Sequence, residues 1–247
     1  MKKSRLDEMM IDLGLALDRE EAKRWIMAGQ VLVDDQRIEK PGTLIKADST
    51  LRIKKKSGLF VSRAGDKLEG ALKHWDLDVA DLTVLDLGAS TGGFTDCLLK
   101  RGASKVYAVD VGANQLDYRL RVDPRVVSLE RTHAKKLNKE LIPEAIELVV
   151  VDVSFTSLKY VLPFVFPLLS ETAWALCLYK PQFEVARELV GKGGIVDEQH
   201  TPAALADMRA WFESRNVEIK AEMKSPVKGR DGNQEYLFYL NLAAVKP

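Results

Sequence analysis

The chain has 247 residues, of which 46% are hydrophobic and 30% charged, and this composition is ordinary for a soluble protein of one large or two smaller domains. Its formal net charge of +1 excludes a strong overall attraction to a polyanion. The first 57 residues nevertheless carry 13 Lys and Arg against 10 Asp and Glu, whereas the rest carry 24 against 26. The basic excess is therefore concentrated at the N-terminus.

Cysteine usage and hydropathy indicate the compartment. Cys97 and Cys177 lie in apolar stretches, which favours buried thiols in a reducing environment over a disulfide framework. The three histidines lack the spacing of metal ligands, so we predict no metal site. No apolar run approaches the roughly 20 residues of a membrane-spanning helix, and no secretory pattern follows the basic start. We therefore expect a soluble, cytoplasmic protein.

The first 55 residues are predicted to form a small α+β domain that begins with a helix. Leu6, Met9, Met10 and Leu13 recur at helical spacing, and Gly14 is placed to end the helix. This spacing puts the four apolar side chains on one face and predicts an amphipathic helix that ends near Gly14.

A second helix and a small sheet are predicted to follow. Asp18 and Glu21 have the spacing of a capping box, with Asp in place of Ser or Thr, and Gly29 is placed to end the helix. Short β-rich runs at 31–33 and 51–53 predict strands, with a turn at Asp34 and Asp35. We interpret 56–62 as a linker to a second domain that covers 63–247.

Beyond residue 60, β-rich runs alternate with helical stretches, which is the pattern of an α/β fold with a doubly wound, mainly parallel sheet. Two final strands, separated by a turn-rich loop, are expected to add one antiparallel strand. The predicted strands are 83–87, 105–111, 126–129, 148–153, 173–179, 217–223 and 236–242, and the predicted helices include 92–101 and 157–169.

A glycine-rich loop, residues 86–94, follows the first strand of this sheet and predicts a ligand site at the carboxyl ends of the strands. It lacks the Gly-Lys-Ser/Thr of a phosphate-binding loop. Gly88 is followed by a four-residue step to Gly92, which departs from the G-x-G-x-x-G of dinucleotide sites. The pattern D-x-G-x-x-x-G-G instead looks like the first motif of Rossmann-like methyltransferases, which predicts S-adenosylmethionine as cofactor.

Each residue of this motif has an expected role. Gly88, Gly92 and Gly93 would let the backbone approach the methionine portion of the cofactor. Asp86 would attract its ammonium group or orient the loop, and Asp110, which ends the second strand, would accept the ribose hydroxyls. The alternative is that both acids only form turns at strand ends. The full predicted cofactor set is Asp86, Gly88, Ser90, Gly92, Gly93, Phe94, Asp110 and Val111.

Six further motifs occur in a characteristic order: Ser4–Asp7, Gly29–Val33, Phe60–Arg63, Asp152–Phe155, Lys180–Glu184 and Gly232–Glu235. With them, the chain resembles the TlyA/hemolysin A family of ribosomal RNA 2′-O-methyltransferases over essentially its whole length. The second domain resembles the FtsJ-type ribose methyltransferases. The first 55 residues resemble the small αL-type RNA-binding domain that a ribosomal protein shares with many pseudouridine synthases.

The resemblance implies a catalytic tetrad of Lys67, Asp152, Lys180 and Glu235. A ribose hydroxyl is a poor nucleophile at neutral pH, so a base has to take its proton, and a lysine can do so only if its pKa is lowered. We expect Lys180 to accept the proton or orient the hydroxyl, Lys67 to be the neighbouring cation, and the two carboxylates to hold the lysines. Without the resemblance, Lys67 would be interpreted as an exposed helix residue.

Ribosomal RNA or ribosomal subunits are the implied partners, with phosphate contacts that position RNA without reading its sequence. The glycine-rich stretch 191–194 is a candidate mobile loop over the substrate, and 131–133 a candidate adenine site. Phe155 and Phe183 are expected in the core rather than against a flipped base. The candidate phosphate contacts are Arg5, Arg19, Lys23, Arg24, Lys54, Lys55 and Lys56.

Three other functions are compatible with parts of this pattern. They are a pore-forming haemolysin, after the older name of the family, an RNA-binding assembly factor with an inactive methyltransferase domain, and a small-molecule methyltransferase. The four filled tetrad positions weigh against the second, and the RNA-binding-like first domain weighs against the third. The sequence does not indicate an oligomeric state, a ribosomal subunit or a target nucleotide.

Overall fold

The computed structural model describes residues 3–16, 18–53, 59–229 and 231–245. The chain divides into two compact units, residues 1–57 and 58–247. The candidate phosphate contacts Lys54, Lys55 and Lys56 lie outside the described residues. Among the described residues, no helix combines the length and the apolar character needed to cross a membrane.

The described residues of the first unit form two helices and two small antiparallel sheets, β1–β4 and β3–β2–β5. Its described elements are β1 (Lys3–Arg5), α1 (Leu6–Asp12), α2 (Arg19–Met27), β2 (Val31–Val33), β3 (Gln36–Arg37), β4 (Leu44–Lys46) and β5 (Leu51–Ile53).

The core of the first unit contains the predicted face of α1, with one exception. Leu6, Met9 and Met10 are buried against Ile26 of α2 and the sheet, as expected. Leu13 does not extend this buried face, because the helix ends at Asp12 and leaves that side chain 54% exposed. A residue beyond the last helical turn no longer follows the helical periodicity.

The predicted capping of α2 is confirmed. The Asp18 carboxylate accepts a hydrogen bond from the Glu21 N–H at 2.7 Å. Gly29 adopts φ +65° just after the helix, in the left-handed region that glycine tolerates best. Asp34 and Asp35 form the predicted turn, with φ of +49° and +65°.

The second unit is built on a seven-stranded sheet with the order β11-β12-β10-β9-β6-β7-β8. Its elements are α3 (Arg63–His74), β6 (Thr83–Leu87), α4 (Gly93–Lys100), β7 (Lys105–Val109), α5 (Tyr118–Arg121), β8 (Val126–Leu129), β9 (Ile146–Val151), α6 (Leu158–Val161), β10 (Leu169–Tyr179), α7 (Pro181–Glu184), α8 (Thr201–Ser214), β11 (Glu218–Lys224) and β12 (Tyr236–Asn241). Strands β6 to β10 are parallel, and β12 is antiparallel to both β10 and β11. The predicted fold class and its antiparallel strand are confirmed.

The helix predicted at 157–169 is wrong. The chain instead forms the single turn α6 and two short 3₁₀ turns at Leu162–Phe164 and Phe166–Leu168. Pro163 and Pro167 lack the backbone N–H that a continuous helix needs at these positions. The strand β10 then begins at Leu169, four residues earlier than predicted.

Neighbouring strand residues point to opposite sides of the sheet. Apolar clusters bury both of these faces. Leu85 and Val149 belong to one apolar cluster, which α6 and α8 cover, and Val84 and Val150 belong to the other, which contains side chains of α3 and α4. The strand order reverses at β6, which pairs with β7 on one side and β9 on the other. Such a reversal opens a crevice at the carboxyl ends of the strands.

Candidate active site

Two neighbouring cavities lie at the carboxyl ends of the parallel strands. The lysine cavity, of about 540 Å³, is lined by Lys67, Lys180, Phe94 and Glu235 among others. The Asp110 cavity, of about 350 Å³, is lined by Asp110 and residues of the following loops. The residues that line both are Gly88, Ser90, Asp152, Ser154 and Phe155. The two cavities therefore meet at the glycine-rich loop and the end of β9.

Four charged side chains of the lysine cavity form two ion pairs. Lys67 Nζ donates to Glu235 Oε2 at 2.5 Å. Lys180 Nζ lies 2.7 Å from Asp152 Oδ1 without hydrogen-bond alignment, and donates to Ser154 Oγ at 2.9 Å. The residues come from α3 and from the ends of three strand segments, so the fold brings together all four predicted tetrad positions.

Burial distinguishes these groups from ordinary surface charges. Lys67 and Lys180 are 9% and 8% exposed and Glu235 is 3% exposed, so the interpretation of Lys67 as an exposed helix residue is wrong. Burial raises the pKa of the Glu235 carboxyl, while the charges of Lys67 and Lys180 oppose the rise. Charges are buried at low cost only when they are paired, and this set pairs two cations with two anions.

The Asp110 carboxylate organises the second cavity. Its Oδ2 accepts from the Ser90 N–H at 2.8 Å and its Oδ1 from the Gly112 N–H at 2.7 Å. A carboxylate can accept about four hydrogen bonds, so Asp110 has acceptor capacity for a ligand. Thr132 lines the same cavity and its N–H donates to the Asp110 carbonyl at 2.9 Å. Val111, which also lines it, is 69% exposed.

The three glycines of the loop lie where a side chain would collide with other parts of the protein. Gly88 lines both cavities, has φ +89°, and a Cβ there would lie 2.6 Å from the Asp152 carbonyl oxygen. Gly92 and Gly93 line neither cavity. A Cβ at these positions would meet Leu120 Cδ1 at 2.2 Å and Ser62 Oγ at 2.1 Å. Close packing inside the protein therefore explains all three glycines, and the expected approach to a cofactor fits only Gly88 of the three, because it also lines the cavities.

Asp86 is fully buried and lines neither cavity. Its Oδ2 accepts from the Thr95 hydroxyl of α4 at 2.6 Å. Burial raises the pKa of Asp86 to about 7, the Thr95 hydrogen bond opposes the rise, and the charge of Asp152 adds to it. Of the two roles expected for Asp86, orientation of the loop is the one that this geometry supports.

An exposed aromatic side chain stands where the two cavities meet. Phe155 is 92% exposed, has φ +63°, and its ring centroid lies 5.2 Å from that of Phe183. The expected core position is wrong for Phe155, and Phe183 is half-buried. An aromatic residue in a turn directly after a buried strand was the available signal. Arg63 and Ser154, which also line the lysine cavity, had no signal in spacing or composition.

The glycine-rich stretch 191–194 borders the lysine cavity through Gly194. Asn233, which is 4% exposed, accepts from the Val196 N–H at 2.9 Å and donates to the Gly194 carbonyl at 2.8 Å. The C-terminal side of this loop is thus fixed to the segment that carries Glu235.

The described cations of the predicted phosphate-contact set all belong to the first unit. Lys23 pairs with Glu20 at 2.6 Å, and Arg24 is exposed in the last turn of α2. Arg5 and Arg19 both contact Asp7.

A mainly parallel sheet, a glycine-rich loop at its switch point and adjoining cavities define the second unit as a Rossmann-like methyltransferase domain. An S-adenosylmethionine-dependent methyltransferase of Mesorhizobium loti shares this fold, with a TM-score of 0.54 and 14% identity over 73% of this chain and 100% of that chain. Residues 60–242 match the FtsJ-like methyltransferase family and residues 4–51 match the S4 domain. The chain belongs to the FtsJ-like methyltransferase family, and its relatives are the TlyA and hemolysin A proteins.

The relatives match the chain over nearly its whole length. The 16S/23S rRNA (cytidine-2′-O)-methyltransferase TlyA of Mycobacterium tuberculosis is 42% identical over 97% of this chain and 90% of its own. Hemolysin A of Brachyspira hyodysenteriae is 42% identical over 94% and 98%. A solved structure from Streptococcus thermophilus, named after the hemolysins, is 40% identical over 98% of this chain and 89% of that chain, with a TM-score of 0.73.

Substitution of Gly88 by alanine tests the close approach of the loop to β9. Gly102→Ala is the control, because Gly88 and Gly102 have nearly equal φ angles of +89° and +90°. A Cβ at Gly102, however, would meet no atom closer than 3.4 Å. We expect each variant to lose about 1–2 kcal/mol to backbone strain. The contact with Asp152 should cost Gly88→Ala a further ~1–3 kcal/mol in the free energy of unfolding. Equal losses in chemical denaturation would contradict the close approach.

The pKa of Asp86 predicts a pH dependence of stability. Since its pKa rises from 3.8 to about 7 on folding, its contribution is complete below pH 3.8 and is lost as the pH rises through about 7. Asp86→Asn should reduce this loss by ~1 kcal/mol or more, as measured by thermal unfolding between pH 4 and 8. The exposed Asp12→Asn is the control, and an unchanged pH profile in Asp86→Asn would refute the assignment.

Proposed function

We propose that this chain transfers a methyl group from S-adenosylmethionine to a ribose 2′-hydroxyl of ribosomal RNA. The observation that carries the proposal is the pair of buried lysine–carboxylate contacts, Lys67 with Glu235 and Lys180 with Asp152, next to the Asp110 cavity. The names of the relatives agree with this chemistry, since the relative from Mycobacterium tuberculosis is an rRNA (cytidine-2′-O)-methyltransferase.

The Asp110 cavity suits the cofactor. Its volume of about 350 Å³ lies in the range of small-molecule sites. Asp110 retains acceptor capacity for ribose hydroxyls, and the missing side chain of Gly88 lets the loop pack against the end of β9, where the two cavities meet. Thr132 and His133 border the end of the cavity that we assign to adenine. When bound, S-adenosylmethionine supplies an electrophilic methyl group on a positively charged sulfur.

The four charged residues of the lysine cavity would prepare the hydroxyl. In its neutral amine form Lys180 would orient the hydroxyl and accept its proton to become an ammonium, and Ser154 and Asp152 hold the Lys180 nitrogen at the end of β9. Lys67 is the second cation, and Glu235 fixes it. Because Lys67 lies on α3 and the other three directly adjoin strands of the sheet, most of the rate enhancement would come from positioning of the reacting groups.

The two units would divide the work. In this proposal residues 1–55 bind RNA, and residues 63–247 bind the cofactor and catalyse methyl transfer. Residues 56–62 connect the two domains. Support comes from the S4 domain match and from similarity over 28% of the chain to the small ribosomal subunit protein uS4 of Streptococcus mutans. Arg5, Arg19, Lys23 and Arg24 are the described candidates for phosphate contacts.

Methyl transfer to ribosomal RNA tests the function directly. We expect radiolabelled methyl groups from S-adenosylmethionine to enter RNA in purified ribosomal subunits, and mapping to show 2′-O-methylation at a defined nucleotide. The same nucleotide should be unmethylated in a strain that lacks the gene. A binding-competent protein that labels neither subunit nor naked ribosomal RNA would refute the proposal.

Two substitutions of Lys180 separate its possible roles. Lys180→Ala should lower methyl transfer by about 100-fold or more, because it removes the proton acceptor. Lys180→Arg keeps the positive charge but cannot lose a proton, so it should be nearly as inactive. Cofactor binding by calorimetry should change little in both. Lys159→Ala, which breaks a contact with Asp207 away from both cavities, is the control. Substantial activity in Lys180→Arg would show that Lys180 acts by charge alone.

A further inference from the structure

Two arginines of the first unit are held by a single shielded carboxylate. Asp7 Oδ1 accepts from Arg5 Nε at 2.9 Å, and Asp7 Oδ2 accepts from the Arg5 terminal nitrogen at 2.7 Å. The same Oδ2 accepts from Arg19 Nε at 3.3 Å. The Asp7 side chain is 0% exposed, whereas the side chains of Arg5 and Arg19 are 38% and 49% exposed. The hydrogen bond with Arg5 holds the pKa of Asp7 below its usual value.

The neighbouring carboxylate contacts the same arginines from a different environment. Glu8 Oε1 lies 3.6 Å from Arg5 Nε and 3.4 Å from a terminal nitrogen of Arg19, and its side chain is 51% exposed. These contacts are longer than those of Asp7. One oxygen of Glu8 thus bridges two guanidinium groups at the surface, as an oxygen of a phosphodiester does when two arginines bind it.

The charges of this cluster balance in the free protein. Arg5 and Arg19 contribute two positive charges, and Asp7 and Glu8 two negative ones. An exposed ion pair such as that of Glu8 contributes little and exchanges readily. The shielded contacts of Asp7 are shorter, and the Arg5 contact is bidentate, which is the stronger geometry. Removal of Glu8 from the pair would leave a surface of net positive charge around a fixed Asp7.

From this difference we propose that Asp7 is a positioning residue that holds Arg5 and Arg19 as a site for one RNA phosphate, and that Glu8 occupies the place of this phosphate until RNA binds. The inference rests on the proposed function of the first unit in binding RNA, and adds to it the residue that shapes the site and the residue that competes for it. Binding breaks the contacts of Glu8 with the arginines and leaves those of Asp7 intact.

Adjacent substitutions of equal charge test the proposal, because each removes one negative charge from the same cluster. If only net charge matters, Asp7→Asn and Glu8→Gln should both strengthen RNA binding. The proposal requires opposite effects. Asp7→Asn should weaken binding about tenfold, since the arginines lose their common anchor, and should lower the salt dependence of binding. Glu8→Gln should strengthen binding about threefold, since it removes a competitor.

Fluorescence anisotropy of the full-length protein with a labelled RNA hairpin, over a series of KCl concentrations, measures both quantities. Opposite effects support the proposal, and a shared direction overturns it. Thermal unfolding is recorded for each variant. Should Asp7→Asn destabilise the first unit, Glu8→Gln is compared with Asp12→Asn, which removes the same charge from an exposed position at the end of α1. Tighter binding by Glu8→Gln but not by Asp12→Asn supports the proposal, and equal effects of the two variants, or no gain by Glu8→Gln, overturn it.

The wild-type protein separates this inference from the proposed function. If the wild type binds the hairpin and the two variants change affinity in the same direction, the phosphate site is refuted and RNA binding stands. If the wild type does not bind RNA, both are refuted.

Discussion

The close approach of the glycine-rich loop to the end of β9 is the constraint on which the site depends. At Gly88 a single Cβ would lie 2.6 Å from the carbonyl oxygen of Asp152. Because this side chain is missing, the loop after β6 and the turn after β9 are in contact, and residues of both line two cavities. The backbone of Asp152 contacts the loop while its carboxylate contacts Lys180. One residue therefore links the proposed cofactor site to the proposed catalytic lysine.

The strands of the parallel sheet could be predicted well because they are buried. Apolar runs such as 83–87 and 173–179 are buried on both faces, so their position follows from hydrophobic burial alone. The broken segment 158–168 could not be predicted by periodicity, because two prolines override a pattern that is otherwise helical. The pairing of β1 with β4 could not be predicted from the sequence for another reason. Strands of three residues are too short to show an alternating pattern.

The residues of the site also differ in how well the sequence predicts them. Asp110 could be assigned from its position at the end of a strand. Lys67 and Glu235 are separated by 168 positions, and their contact depends on the packing of α3 near the start of β12, which no local pattern records. Only the resemblance of the motifs pointed to them. Phe155 was misplaced because an aromatic side chain is usually buried, although its position four residues after the end of the buried strand β9 indicated an exposed loop.

The position of β12 has a consequence for the timing of synthesis. This strand lies between β10 and β11, although it follows both in the chain, and Glu235 immediately precedes it. While the nascent chain emerges from the ribosome, β11 has to wait for residues 236–241, which form its one neighbour among the described strands. The partner of Lys67 arrives in the same few residues. The complete set of paired charges therefore forms only after β12 has been synthesised, and the sheet and the proposed active site are completed together.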